Sequence, residues 1–300
     1  MRLNVAGLCF SLVFSATAGM AQEAPVPAAP AVSSQAVPPP THPGRSTVYC
    51  SGFYTTQKVP DDLRLVTGEN SDVKLTFLQG DIVYLSKGMN QGVKAGDRFS
   101  VVREETDPVQ VTWFKWQAKL TKAMGMHYSD LGELVVVKSE PNIAIAKISL
   151  SCAFMQRGDI VRPFVVRPVG EYKDSASFDA LAPVSGRPVA MVVRAKDTEQ
   201  ASGRGDIVYV NLGTAQGVKV GDYFRIFRYQ GSHAGMIPME KGYQDRLSGF
   251  GSNPRKYEWN DLPRQVLGEG LVLNAGQNSA TVLVTIAKDE VYSGDYVELE

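Results

Sequence analysis

Three histidines, His42, His127 and His233, are the side chains best suited to proton transfer or metal binding near neutral pH. None has a partner at metal-ligand spacing, and neither an H-E-x-x-H nor a C-x-x-C string occurs. The sequence predicts exposed loop histidines for His127 and His233, which would meet only if two domains packed face to face. Six aspartates, Asp81, Asp97, Asp159, Asp206, Asp222 and Asp295, each follow a glycine. A calcium loop needs several carboxylates converging within a few residues, whereas these are strung singly and suit turn capping. Asp61-Asp62 and Glu104-Glu105 are adjacent and would point apart on a strand, so neither pair suits acid/base work. Ala201-Ser202-Gly203-Arg204-Gly205 lacks the first glycine of a nucleophile elbow and precedes a strand, so it also fails as a phosphate loop. No catalytic residue, metal site or cofactor is expected.

Two stretches between strands carry the remaining chemistry. In the first, Trp113, Trp116, Leu120 and Met124 recur at helical spacing while Lys115, Lys119 and Lys122 fall on another side. This predicts a short amphipathic helix with a basic face. Its apolar stripe either packs on its own domain or meets anionic lipid or a polymer. The second stretch, Tyr229 to Val266, is glycine-rich, with Tyr243, Phe250, Tyr257 and Trp259 among Arg246, Arg255, Lys256 and Arg264. A loop of this length is either functional or disordered.

The elements that would hold these stretches are set by an internal repeat. Residues 80–103 and 205–228 align at an offset of 125 with 14 of 24 positions identical. The match includes Gly80-Asp81, Gly92, Gly96-Asp97 and Arg103 against Gly205-Asp206, Gly217, Gly221-Asp222 and Arg228. A second block, Leu131-Gly132-Glu133 with Leu267-Gly268-Glu269 and Gly158-Asp159 with Gly294-Asp295, aligns at an offset of 136. The second copy therefore carries an insertion of 11 residues between the blocks. Ile82 to Leu85, Phe99 to Arg103, Glu133 to Val137 and Asn142 to Ile148 read as strands, as do their second-copy equivalents. Alternation predicts one buried face per strand. Gly92-Val93-Lys94-x-Gly96-Asp97 reads as a tight reversal anchored by a buried valine. The expected fold is all-β, two tandem small SH3-like barrels, each closed or partly open, each with an inserted excursion and a short helix in the first. Val48-Tyr49-Cys50 is expected to open the first barrel, and Val189 to Val193 the second.

The Gly-Asp-Ile-Val-Tyr string, the Gly-Val-x-x-Gly-Asp-x-Phe turn, the following Leu-Gly and the terminal Gly-Asp resemble the C-terminal β-barrel of flagellar assembly protein T. They are also similar to barrels that follow peptidoglycan-binding LysM modules in bacterial envelope proteins. The resemblance covers both copies, roughly residues 80 to 161 and 205 to 299. It implies a bacterial envelope accessory protein.

Composition agrees with a globular chain: 300 residues, 44% hydrophobic and 21% charged, with 31 basic against 31 acidic residues. Zero net charge gives no bulk field favouring nucleic acid or an anionic membrane, though it does not exclude a local basic patch. Arg2, an apolar run from Leu3 to Phe14 and Gly19-Met20-Ala21 read as a secretory signal over residues 1–21. Residues 22–46 hold seven of the 17 prolines and read as a Pro/Ala-rich linker. Domains are expected at 47–168 and 186–300, joined by a linker at 169–185. Cys9 would leave with the signal. Export and an even remaining count favour a disulfide between Cys50 and Cys152, against two buried free thiols. The expected function is a non-catalytic adaptor or assembly module, periplasmic or outer-membrane-associated. Its partners would be envelope proteins or peptidoglycan, with peripheral membrane contact as a further option and no nucleic acid. A peptidoglycan or polysaccharide binder is the alternative function, and an enzyme with an unrecognised site the remaining one.

Overall fold

The structure, a computed structural model, describes residues 40–106, 112–174, 176, 178–229 and 263–300. The expected signal, most of the Pro/Ala-rich linker and residues 230–262 of the second excursion lie outside the described residues.

Both copies of the repeat fold the same way. In the first, β2 (Leu65–Gly68), β4 (Ile82–Leu85), β7 (Ala144–Ser151), β6 (Met126–Ser139), β5 (Arg98–Glu105) and β9 (Ile160–Pro163) are neighbours in that order. In the second, β10 (Val189–Ala195), β12 (Ile207–Val210), β15 (Ala280–Ala287), β14 (Gln265–Ala275), β13 (Tyr223–Arg228) and β17 (Tyr296–Leu299) form a closed barrel in the matching order. Every ladder is antiparallel. Each copy adds a two-stranded ribbon, β3 (Thr76–Phe77) with β8 (Met155–Gln156) and β11 (Ala201–Ser202) with β16 (Val291–Tyr292). The first copy closes less completely: β2 meets β9 through a bridge between Arg64 and Ile160, and Leu65 N–H donates to Asp159 O at 3.0 Å.

Each barrel interior is filled by its own side chains, at matching positions. Val83, Leu85, Val101 and Ile148 are buried in the first, and Val208, Val210, Ile226 and Val284 in the second. Burying an aliphatic side chain of this kind stabilises by about 1.5–3 kcal/mol, so these two cores carry most of the folding energy. Val93 and Val218 anchor their reversals as expected, both buried.

The repeated Gly-Asp pairs are explained by one turn used six times. In each, glycine has φ between +89° and +108°, as the third residue of a type II turn requires. The following aspartate closes the turn from both sides. Asp97 N–H donates to Lys94 O at 3.2 Å, while Asp97 Oδ2 accepts Lys94 N–H at 2.8 Å. Asp81, Asp159, Asp206, Asp222 and Asp295 accept the N–H three residues back in the same way, at 2.6–2.8 Å. The glycine of Leu-Gly-Glu has a different cause. A Cβ on Gly132 or Gly268 would lie 2.0 Å from the carbonyl of Leu150 or Ile286, across the long hairpin.

Two expectations need correction. Residues Arg45–Tyr49 form a short helix, α1, with only Val48 buried, and Cys50 caps its end. A strand there would have no edge to join, because β2 and β9 already close the ring. The 125-residue offset itself places Leu65 opposite Ala190, so the repeat, followed one step further, identifies β2 as the opening strand. The rule of one buried face per strand also fails in the second copy. Whereas β4 alternates, all four residues of β12 are buried, because the outside of this barrel is covered by the first copy.

Candidate interaction surface beside the inter-barrel seam

The cover is built from two pieces that the first copy adds to its barrel. One is β1 (Phe53–Thr55), which pairs with the start of β6 and lies against β15. The other is the excursion helix α2 (Gln117–Met124). Tyr54 and Met124 pack with Val193, Ile207, Tyr209, Leu273 and Leu283 of the second barrel, with Leu120 and Tyr172 at the margin. Polar contacts fix the register of this apolar seam. Tyr209 donates to Ser51 O at 2.9 Å, Thr281 to Gly52 O at 3.0 Å and Gln117 Nε2 to Val193 O at 2.8 Å. Gly52 N–H donates to Asp130 at 3.0 Å, and Arg167 clasps the same carboxylate through both guanidinium nitrogens.

Here the expectation for His127 is overturned. It is 7% exposed, stacked on Tyr54 at 4.6 Å and edge-on to Tyr209 at 5.0 Å, and neither ring nitrogen is hydrogen-bonded. Burial, with Arg194 nearby, pushes its pKa down to about 3, so the ring is neutral at ordinary pH. Physically, His127 begins a strand that runs into the seam, and an uncharged imidazole stacks there as an aromatic. His233 lies outside the described residues.

The helix α2 turns Leu120 and Met124 toward the second barrel instead of its own, but Trp116, which its spacing places on the same stripe, is exposed with the lysines because the helix starts only at Gln117. Gln117 and Met124 are buried, and Trp113 is half-buried with its N–H on Gln117 Oε1 at 2.6 Å. The other side is open: Trp116 is 58% exposed, and Lys115, Lys119 and Lys122 are all exposed. Lys115 Nζ stands 5.5 Å from the centre of the Trp116 ring. None of the three lysines pairs with a carboxylate among the described residues, and residues 112–125 contain no Asp or Glu. Gly125 N–H returns to Lys122 O, and a Cβ at Gly125 would lie 2.3 Å from Thr55 O. The helix is thus held at its end against β1. Of the other candidate contact residues, Tyr243, Arg246, Phe250, Arg255, Lys256, Tyr257 and Trp259 lie outside the described residues. The base of that excursion is pinned, with Arg264 paired to the fully buried Glu298 at 2.6 Å and lying over Phe227 at 4.5 Å.

Cys50 and Cys152 are joined in a disulfide with Cα atoms 5.4 Å apart, tying the residue after α1 to the end of β7. The residues missed by sequence reasoning are those of the seam: Tyr54, Asp130, Arg167 and Tyr209. Their partners lie in the other copy or in the connecting segment, and no local spacing points to them. One pairing was visible. Arg103 and Arg228 recur with Asp159 and Asp295, and each arginine forms a two-nitrogen contact with that nearly inaccessible aspartate.

A cleft of about 280 Å³ beside the first barrel is lined by Lys58, Asp61, Arg64, Arg103, Glu104 and Asp159. Its charges neutralise one another: Asp61 takes Lys58 and Arg64, and Asp159 takes Arg103. Among the described residues no group of three or more His, Cys, Asp or Glu is placed to hold a metal ion, and no helix is long and apolar enough to cross a membrane. No protein-family model matches the chain, and no curated protein is significantly similar to it.

Proposed function

We propose that this protein is a non-catalytic, exported adaptor of the cell envelope, with the outward face of α2 as a contact surface. One observation carries this reading. The helix inserted in the first barrel is locked onto the second, yet it keeps an aromatic ring and three uncompensated lysines facing outward. Burying the seam accounts for the inward side of the helix and leaves the exposed Trp116 ring without a role in it. The filled barrels and the mutually paired charges of the cleft support a scaffold over an enzyme. The disulfide and the leader-like first 21 residues support export, which N-terminal sequencing of the secreted or periplasmic protein tests: the expected new terminus is near Gln22.

A photo-crosslinking residue replacing Ala118, beside Trp116 and exposed, tests the contact surface in the native cell. The expected result is a discrete envelope adduct that is absent when the crosslinker replaces Lys147, an exposed position on β7. Equal labelling from both positions would overturn the assignment.

A further inference from the structure

We infer that the outward face of α2 docks on an anionic lipid surface; the inference rests on the proposal that this face makes contacts, and names the partner chemistry. Lys119 and Lys122 are one helical turn apart, and Lys115 precedes the Trp116 that begins the helix. With no carboxylate in residues 112–125 and none paired with these lysines among the described residues, the positive charge has no counterion there. Such a patch has its lowest energy against a layer of negative headgroups, where each lysine contributes about a fivefold gain in binding. Trp116 is the residue type that favours the headgroup level, its ring apolar and its indole N–H a hydrogen-bond donor.

The shape of the site favours a surface over a small ligand. Lys115, Trp116, Lys119 and Lys122 lie along the outside of the helix and the turn before it, and line neither the cleft beside the first barrel nor the one formed by Ala195, Lys196, Asp197 and Asp206. A sugar or peptide ligand is gripped in a concavity, whereas a planar headgroup layer needs only charges and an aromatic on one exposed side. The helix is already ordered before it meets the bilayer. Met124 is fully buried, Gln117 is bonded to Val193 O, and Asn278 Nδ2 donates to Ala123 O at 3.2 Å. No folding cost is therefore charged to the lipid contact, unlike an amphipathic peptide that must become helical on the membrane. Three lysines and one indole give reversible binding that depends on ionic strength.

The test is flotation of the full chain with vesicles of phosphatidylcholine alone, and with one lipid in three replaced by phosphatidylglycerol. Binding is expected only to the anionic vesicles, falling as salt is added. Replacing all three lysines together (K115Q, K119Q and K122Q) should weaken it on the order of 100-fold, with the thermal unfolding midpoint unchanged because the three side chains are exposed. With Trp113 and Trp259 replaced by Phe, the emission of Trp116 should shift to the blue on anionic vesicles. Failure to float with anionic vesicles at low salt, or equal flotation of the triple variant, overturns the lipid assignment. If isolated peptidoglycan instead retains the wild-type chain and releases the triple variant, the lipid partner is wrong and the contact face stands. If the triple variant also crosslinks from position 118 as the wild type does, both fall.

Discussion

At the residue scale, His127 makes the sharpest contrast with its apparent role in the sequence. The neutral imidazole, stacked on Tyr54 and edge-on to Tyr209, is buried with both ring nitrogens unbonded, and the protonated form, which must also shed the hydration of its charge, costs more still. Because the folded pKa is depressed to about 3 and the ordinary value is 6.5, the unfolded chain takes up the proton first as the pH falls. Stability from this residue is complete above pH 6.5 and is lost progressively below it, by about 3 kcal/mol between pH 7 and pH 4. Urea unfolding at the two pH values should show this loss, and His127→Phe should remove most of it. The sequence showed a histidine with no partner at ligand spacing and suggested an exposed loop. It could not show that Tyr209 lies against the ring, because that contact depends on how two barrels pack.

The six Gly-Asp turns make the opposite point, since both their chemistry and their position were readable. A glycine with positive φ followed by a residue that accepts a hydrogen bond is a local requirement, and local requirements leave local patterns. Within the set, Asp159 and Asp295 each also hold an arginine, and Asp81 also pairs with Lys74. Asp222 only caps its turn, whereas Asp295 also holds Arg228 while 1% exposed. Asp222→Ala should therefore cost about 1 kcal/mol, as one exposed hydrogen bond does. Asp295→Ala should cost about 3–5 kcal/mol, because it leaves the arginine's charge unpaired. Chemical denaturation of the two single variants reads the difference directly.

At the scale of elements, strands and reversals were legible because their burial pattern repeats in two copies, each serving as a check on the other. The errors fell where the copies differ in surroundings. Val48-Tyr49-Cys50 reads as a strand from its composition, yet it ends the helix α1, and the ladder positions a strand would need are taken by β2 and β9. The strand β12 was expected to alternate, and it is buried on both faces because β1 and α2 lie outside it. In α2 the period holds for Leu120 and Met124 but not for Trp116, which precedes the helix, and the target differs too: a period of 3.6 reports that one side is buried, not which domain buries it.

At the scale of the whole molecule, the disulfide acts next to the seam. Cys50 is followed directly by Ser51 and Gly52, whose carbonyls accept the bonds from Tyr209 and Thr281. The link spans 102 residues, and closing so long a loop stabilises by at most about 4–5 kcal/mol in the chain-entropy model. Replacing both cysteines with serine should lower the unfolding midpoint. It should also raise hydrogen exchange first at residues 45–55, before either barrel core. Uniform loosening of both barrels would show that the bond supports the cores instead of the seam.

The seam also sets an order of events. Gly52 lies near the start of the described residues, but the hydroxyl that bonds its carbonyl belongs to Thr281, 229 residues later. A chain emerging from its amino end can close the first barrel early, while Tyr54 and Met124 wait with their apolar sides in water for a surface not yet made. Among the described residues, the last long hairpin is thus the seat for the first strand. Until that hairpin forms, the vulnerable species is a finished first barrel with a sticky flank, and a helper that shields it would need to bind there and leave late.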